Sequence, residues 1–335
     1  MTKHNQTRLH RGNPSKSTRN FGIGSRNLLR AGKMCSQQSE KSFSTRGTLA
    51  DRWTVFAKWL EAEKGISKME NIMPDHLIAY GRHLNSRIEQ GELKPSTAQL
   101  YISAVNSILK TATAGDWKTV SPTKDCGIPK RKYLPEASKA LPQSQHDQVI
   151  AELTEQAEEL LDQRVIVLLN LQRTLGLRFK ESALLDARQA LKQGDKTGTV
   201  TILTGTKGGK RREVPISSEA KIALKQAANI QDGRSMIPND MSYVKFRQEC
   251  YAKAQQLQFN FHAQRHHYAQ QRYQDLSGAP APITTGIPRK DWLNYLANFL
   301  NVNSETAEAI DHKARVQLST ELGHNRLEVV SVYIG

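Results

Sequence analysis

Arg178 follows Gly176-Leu177 at the end of an apolar run, and Glu181 comes three positions later. Lys207 lies in TGTKGGKRREVPI, where Gly205, Gly208 and Gly209 permit a tight turn and Lys210, Arg211 and Arg212 crowd further positive charge upon it. In FHAQRHHYAQQRY, His262 and Arg265 stand at i and i+3, neighbours on one helix face. Leu322-Gly323-His324 then precedes Tyr333 by nine positions, with Val329, Val330 and Val332 between. Singly, each has an ordinary reading: a capping arginine, a solvated hairpin tip, a polar helix face, a fraying end. As a set they carry the groups that reaction at a phosphodiester requires. Forked guanidiniums match phosphate oxygens, imidazoles and an ammonium can move protons, and a phenol can attack phosphorus.

These groups need elements to hold them. From Leu49 the apolar residues recur at helical spacing: Trp53, Phe56, Trp59 and Leu60, then Leu77, Tyr80, Gly81 and Leu84 after Pro74, then Tyr101, Val105, Ile108 and Leu109 after Pro95. They predict a small helical domain over 48–115 whose aromatics form its core. Before it, residues 1–47 hold ten Lys and Arg against the single acid Glu40 and read as a basic flexible arm. Periodicity lapses over 116–145, where Pro122, Pro129, Pro135 and Pro142 join the cluster Lys130-Arg131-Lys132 in a basic, semi-extended linker. A second domain, 146–335, opens with helices near 148–160 and 165–171. GTVTIL (198–203) and REVPI (212–216) read as two strands of a hairpin around the glycine-rich tip. Helical spacing resumes to the end, interrupted by a loop, SGAPAPITTGIP, at 277–288.

Charge narrows the partner. Lys and Arg number 48 against 32 Asp and Glu, a formal net charge of +16, which favours a polyanion over a neutral substrate. No run approaches the about 20 apolar residues that span a bilayer, and the first twenty residues lack the apolar stretch of a secretory signal. A cytoplasmic, nucleoid-associated protein with no membrane partner is expected. Cys35, Cys126 and Cys250 are odd in number and far apart, supporting neither a disulfide framework nor a cysteine zinc site. His262, His266, His267 and His324 lack a zinc-ligand spacing such as HExxH, so neither a metal nor a cofactor is expected.

The five elements in this order resemble the tyrosine recombinase, or phage integrase, family, whose members carry an Arg in G-L-R-x-x-E, a Lys on a β-hairpin, an H-x-x-R helix, a His or Trp after L-G, and a nucleophilic Tyr about nine residues later. The resemblance implies a mainly α, two-domain fold: a helical, SAM-like core-binding domain and an α-rich catalytic domain with a small antiparallel sheet, gripping double-stranded DNA as a clamp. It implies site-specific cutting and rejoining of DNA, for integration or excision of a mobile element or prophage, by a homotetramer on DNA with accessory DNA-bending proteins as possible partners. On this reading Arg178 and Arg265 neutralise the phosphate, His262 and His324 hydrogen-bond it or take the phenol proton, Lys207 protonates the leaving 5′-oxygen, Tyr333 is the nucleophile, and Glu181 orients its neighbours. Lys130, Arg131, Lys132, Lys210, Arg211 and Arg212 are assigned to DNA contact. A noncatalytic DNA-binding regulator and a type IB topoisomerase-like enzyme are the alternatives.

Two features depart from the family pattern. Only Ile334 and Gly335 follow Tyr333, so an exchange of C-terminal segments between subunits needs another element or a longer chain. Arg265 and His324 are 59 positions apart, an excess that marks an insertion at about 275–320. Its apolar stripe, Trp292, Leu293, Leu296, Phe299 and Leu300, reads as core, with packing on a neighbouring protomer as the second reading.

Overall fold

The computed structural model describes residues 18–39, 41–155 and 160–335. They divide into two compact units, Met1–Lys132 and Tyr133–Gly335.

The first unit is built from α1 (Leu28–Gln38), α2 (Phe43–Lys64), α3 (Pro74–Glu89) and α4 (Pro95–Ala112). Pro74 and Pro95 stand in the first turns of α3 and α4, where the missing N–H costs nothing. The predicted stripes meet inside: Trp53, Phe56, Leu60, Leu77, Tyr80, Leu84, Val105 and Ile108 are all buried. Each such side chain contributes about 1.5–3 kcal/mol of burial free energy. The expected flexible arm needs correction from Thr18 onward. Leu28, Ala31 and Cys35 of α1 join this core, and the Trp53 indole N–H donates to the Leu28 carbonyl at 3.2 Å. Gly32 is what lets α1 approach so closely, since a Cβ there would lie 2.0 Å from the Trp53 ring. The basic residues Lys3, Arg8, Arg11 and Lys16 lie outside the described residues.

The expected linker is corrected too. Its first half belongs to the first unit: Val120, Cys126 and Ile128 are buried in that core, and the Asn106 amide bonds both the N–H and the carbonyl of Val120. The division at Lys132/Tyr133 falls inside the predicted stretch.

The second unit contains α5 (Gln143–Glu155), α6 (Leu160–Leu175), α7 (Phe179–Ala183), α8 (Ala187–Thr197), β1 (Thr199–Ile202), β2 (Arg212–Pro215), α9 (Ser218–Ile230), α10 (Tyr243–Gln256), α11 (Phe261–Ser277), α12 (Pro282–Thr285), α13 (Trp292–Leu300), α14 (Ser304–Leu322) and α15 (Ser331–Ile334). The strands pair antiparallel with Val200 opposite Val214 and Ile202 opposite Arg212. Val200, Ile202 and Val214 face the core, as the two-residue period of a one-sided sheet requires. The apolar α6 is buried between α9 and α11, with Val165, Leu168, Leu169 and Leu171 in the centre of the unit. The predicted insertion forms α12, α13 and most of α14. Trp292 and Leu296 enter this same core, while Leu293 and Phe299 remain exposed. The expected loop at 277–288 contains the single turn α12.

Candidate active site

The site is assembled around α11, whose first two turns present His262, Arg265, His266 and Ala269 in succession. Arg265 is fully buried. Its guanidinium donates to the Gly176 carbonyl, to the Leu322 carbonyl at 2.5 Å and, through Nε, to the Tyr333 hydroxyl at 3.4 Å. Nη2 also lies 3.5 Å from His324 Nε2.

Arg178 caps α7 and is tied back by the residue three positions on. Glu181 accepts the Arg178 backbone N–H and side chain, both at 2.7 Å. The same carboxylate takes a two-pronged bond from Arg212 at 2.8 and 2.7 Å, and Arg265 approaches it to 4.0 Å. Burial alone would raise the Glu181 pKa, but the bonds and charges of Arg212 and Arg178 outweigh it and hold the group below its ordinary value. Three guanidiniums thus gather about one carboxylate, leaving excess positive charge beside the phenol. The C-terminal end of α14, the negative end of its dipole, supplies further acceptors: Glu321 O takes Arg212 Nε at 2.7 Å, and Leu322 O takes Arg178 at 3.4 Å as well as Arg265.

Tyr333, on α15, is buried. Its ring lies 4.6 Å from that of His266, 5.5 Å from His324 and 5.8 Å from His262, with the Arg265 guanidinium 5.6 Å from its centroid. Its carbonyl accepts from the Gln270 amide at 3.0 Å. Burial, followed by the charges of Arg265, Arg178, Arg212 and Lys207, pushes His324 down to about 3. Burial likewise pushes His266 down to about 4, aided by neighbouring His262 and by Lys139 and Arg265. His262, although exposed at the start of α11, is lowered in the same direction by desolvation and then by Arg265 and Arg178. The imidazoles around the phenol are therefore neutral near pH 7.

Gly176 sets the turn from α6 into this cluster. Its φ is +60°, and a Cβ would fall 2.4 Å from the Tyr268 ring. The Tyr268 hydroxyl donates to Glu321 at 2.9 Å, and Arg272 binds the same carboxylate at 2.8 and 2.9 Å.

The hairpin tip divides its predicted roles. Lys207 is exposed on a single 3₁₀ turn, and its charge is felt at His324. Lys210 donates to the His324 carbonyl and to Asn325, both at 2.9 Å, which ties the tip to the chain between α14 and α15. Arg211 pairs with Glu213 on the surface. Arg212 corrects the assignment to DNA contact: it faces inward beside Val214 and is spent on Glu181 and Glu321. Lys130 and Lys132 are exposed and Arg131 is half-buried, all at the end of the first unit. Sequence reading missed the placement of His266, Arg212, Gln270 and Glu321. The period of β2 would have turned Arg212 to the core face, and the i, i+4 relation to His262 would have put His266 at the phenol.

Residues 133–271 match the family model described as Integrase. No curated protein sequence matches the chain. Among solved structures, it is similar to the XerH site-specific recombinase bound to palindromic difH substrate (15% identity, TM-score 0.54, 93% of this chain and 82% of that one). It is similar also to the Tn1549 transposon integrase with circular intermediate DNA (12%, 0.55, 92% and 95%) and to lambda integrase residues 75–356 bound as a dimer to a core site (13%, 0.55, 92% and 94%). The integrase family match over residues 133–271 thus covers the part of the second unit that holds Arg178, Lys207 and Arg265, and the fold shared with these structures extends along nearly the whole chain.

Proposed function

We propose that the chain is a site-specific DNA recombinase that cuts and rejoins duplex DNA through a 3′-phosphotyrosyl intermediate, serving integration or excision of a mobile element. The observation that carries this reading is the Tyr333 hydroxyl 3.4 Å from Arg265, within a cluster where guanidiniums outnumber carboxylates. A scissile phosphate entering there exchanges the Leu322 carbonyl for its own nonbridging oxygens as the acceptor of Arg178 and Arg265. The transition-state charge is then met by donors already in position. Tyr333 Oη forms the bond to phosphorus as the P–O5′ bond breaks. The phenol proton passes to one of the neutral imidazoles, His324 or His262, and Lys207, on the exposed tip, gives a proton to the leaving 5′-oxygen. Such proton transfers each contribute roughly 10² to 10⁴ in rate. Reversal by a 5′-hydroxyl of another strand completes exchange, because the ester retains the energy of the original bond. Glu181 keeps the arginines oriented. Lys130, Arg131, Lys132, Lys210 and Arg211 contact phosphates outside the reacting centre.

Exchange between two duplexes needs four cuts, and a homotetramer is the assembly that supplies them; a lambda integrase tetramer bound to a Holliday junction is among the structures of similar fold. Accessory DNA-bending proteins would bring distant sites together. The work belongs on the nucleoid, in the cytoplasm; among the described residues no helix is long and apolar enough to cross a membrane. A nicked suicide duplex carrying candidate attachment DNA tests the reading. Wild type is expected to accumulate covalent protein–DNA adduct and Tyr333→Phe none. Binding without adduct on every cognate duplex would favour a noncatalytic regulator.

A further inference from the structure

Tyr333 is carried on α15 (Ser331–Ile334), and the contacts of this turn lead into the predicted insertion. Arg315, near the middle of α14, donates through one nitrogen to Ser331 Oγ at 3.2 Å and to the Gly335 carbonyl at 3.1 Å, one partner at each end of the turn. The guanidinium is itself held. Its Nε donates to Asp311 at 2.8 Å, one turn back on α14, and its plane lies over the Tyr273 ring at 5.8 Å. Asp311 is fixed in turn by the Tyr273 hydroxyl at 2.5 Å and the Trp292 indole N–H at 3.1 Å, donors from α11 and α13. Tyr273 lies on the helix that carries Arg265, eight positions on. Ile334 is fully buried, and Gly335 packs against α12.

We infer that the 275–320 insertion positions the nucleophile: Arg315, locked by Asp311, Tyr273 and Trp292, holds both ends of the Tyr333 turn in register with Arg265. Arg315 is a positioning residue. It touches no reacting atom, and it bonds the turn that carries Tyr333. Trp292 and Leu296, buried in the unit's own core, anchor the insertion within the chain, while Leu293 and Phe299 of the same stripe stay exposed.

This inference rests on the recombinase reading, and the test separates the two. In the full chain, Arg315→Ala is expected to slow adduct formation on the suicide duplex about 10- to 100-fold with duplex Kd unchanged within about twofold, since chemistry but not binding depends on the turn. Hydrogen exchange at the amides of residues 331–334 should accelerate at least about tenfold, and Arg315→Lys, which keeps one donor, should restore part of both effects. Adduct rate and exchange both unchanged in folded Arg315→Ala would overturn the inference and leave the recombinase reading standing. No adduct from wild type on cognate duplexes would sink that reading, and the exchange measurement would then decide the role of Arg315. If Arg315→Ala does not fold, Tyr273→Phe, which keeps the ring and removes only the hydroxyl donor to Asp311, must accelerate the same exchange; failure to do so overturns the inference equally.

Discussion

At the scale of single residues, the cluster beside the phenol is organised around one buried carboxylate. Glu181 is fully buried and satisfied by Arg178 and Arg212, so deleting one cation leaves a charge in the interior without its partner. Arg212→Leu is expected to cost about 3–5 kcal/mol of unfolding free energy, measured by denaturant titration, whereas the exposed Arg211→Leu should change stability by under about 0.5 kcal/mol. The buried histidines set a pH dependence with a definite sign. The His266 and His146 imidazoles, at about 4 in the folded chain, stay neutral where the unfolded ones, near 6.5, take up protons. Unfolding therefore binds protons between those values. Stability should fall as pH drops from about 6.5 towards 4 and level off below. Replacing His266 with Gln should flatten that slope; an unchanged slope would show that the imidazole titrates normally in the fold.

At the scale of elements, the β1–β2 hairpin and the α6–α7 turn bring distant residues to the phenol. If Lys207 is the general acid, Lys207→Ala should slow cleavage by roughly 10² to 10⁴ on an ordinary duplex. It should have little effect where the leaving 5′-oxygen is replaced by sulfur, because a thiolate departs without a proton. Equal loss on both duplexes would mean that the lysine positions DNA and does not protonate it. The turn before Arg178 has a different sensitivity. Gly176→Ala forces a Cβ into the Tyr268 ring at positive φ, and a thermal melt should reveal destabilisation well beyond the about 0.5 kcal/mol of an ordinary surface change.

At the scale of the whole molecule, two cores divide the chain, each with its own buried cluster. Residues 133–335 expressed alone should unfold in a single cooperative transition, since the described helices of that unit close on their own core. Losing the first unit should reduce the salt dependence of DNA binding by about 0.9 in slope for each phosphate contact it makes. A slope identical to that of the full chain would assign all phosphate contacts to the second unit.

The local pattern was legible from the residues. The apolar stripes of α2, α3 and α4 and the alternation of the hairpin follow from helical and strand periods, and the ordered motifs from Arg178 to Tyr333 needed no coordinates to be seen. What the periods do not encode is which exposed-looking polar residue is turned inward. Arg212 reads as one more charge at a basic tip until β2 pairs with β1 and faces it to Glu181, and no spacing singles out Arg315 until α14 is laid against α15. Residues 18–39 likewise read as an arm by composition, yet gain a core through one indole and one glycine. The sequence alone determined the chemical groups and their order, because those are properties of residue type and short spacing. Only the tertiary structure decided most of their partners, because a buried charge takes the conformation that satisfies it, and for Arg212 and Arg265 the satisfying groups lie tens to more than a hundred positions away.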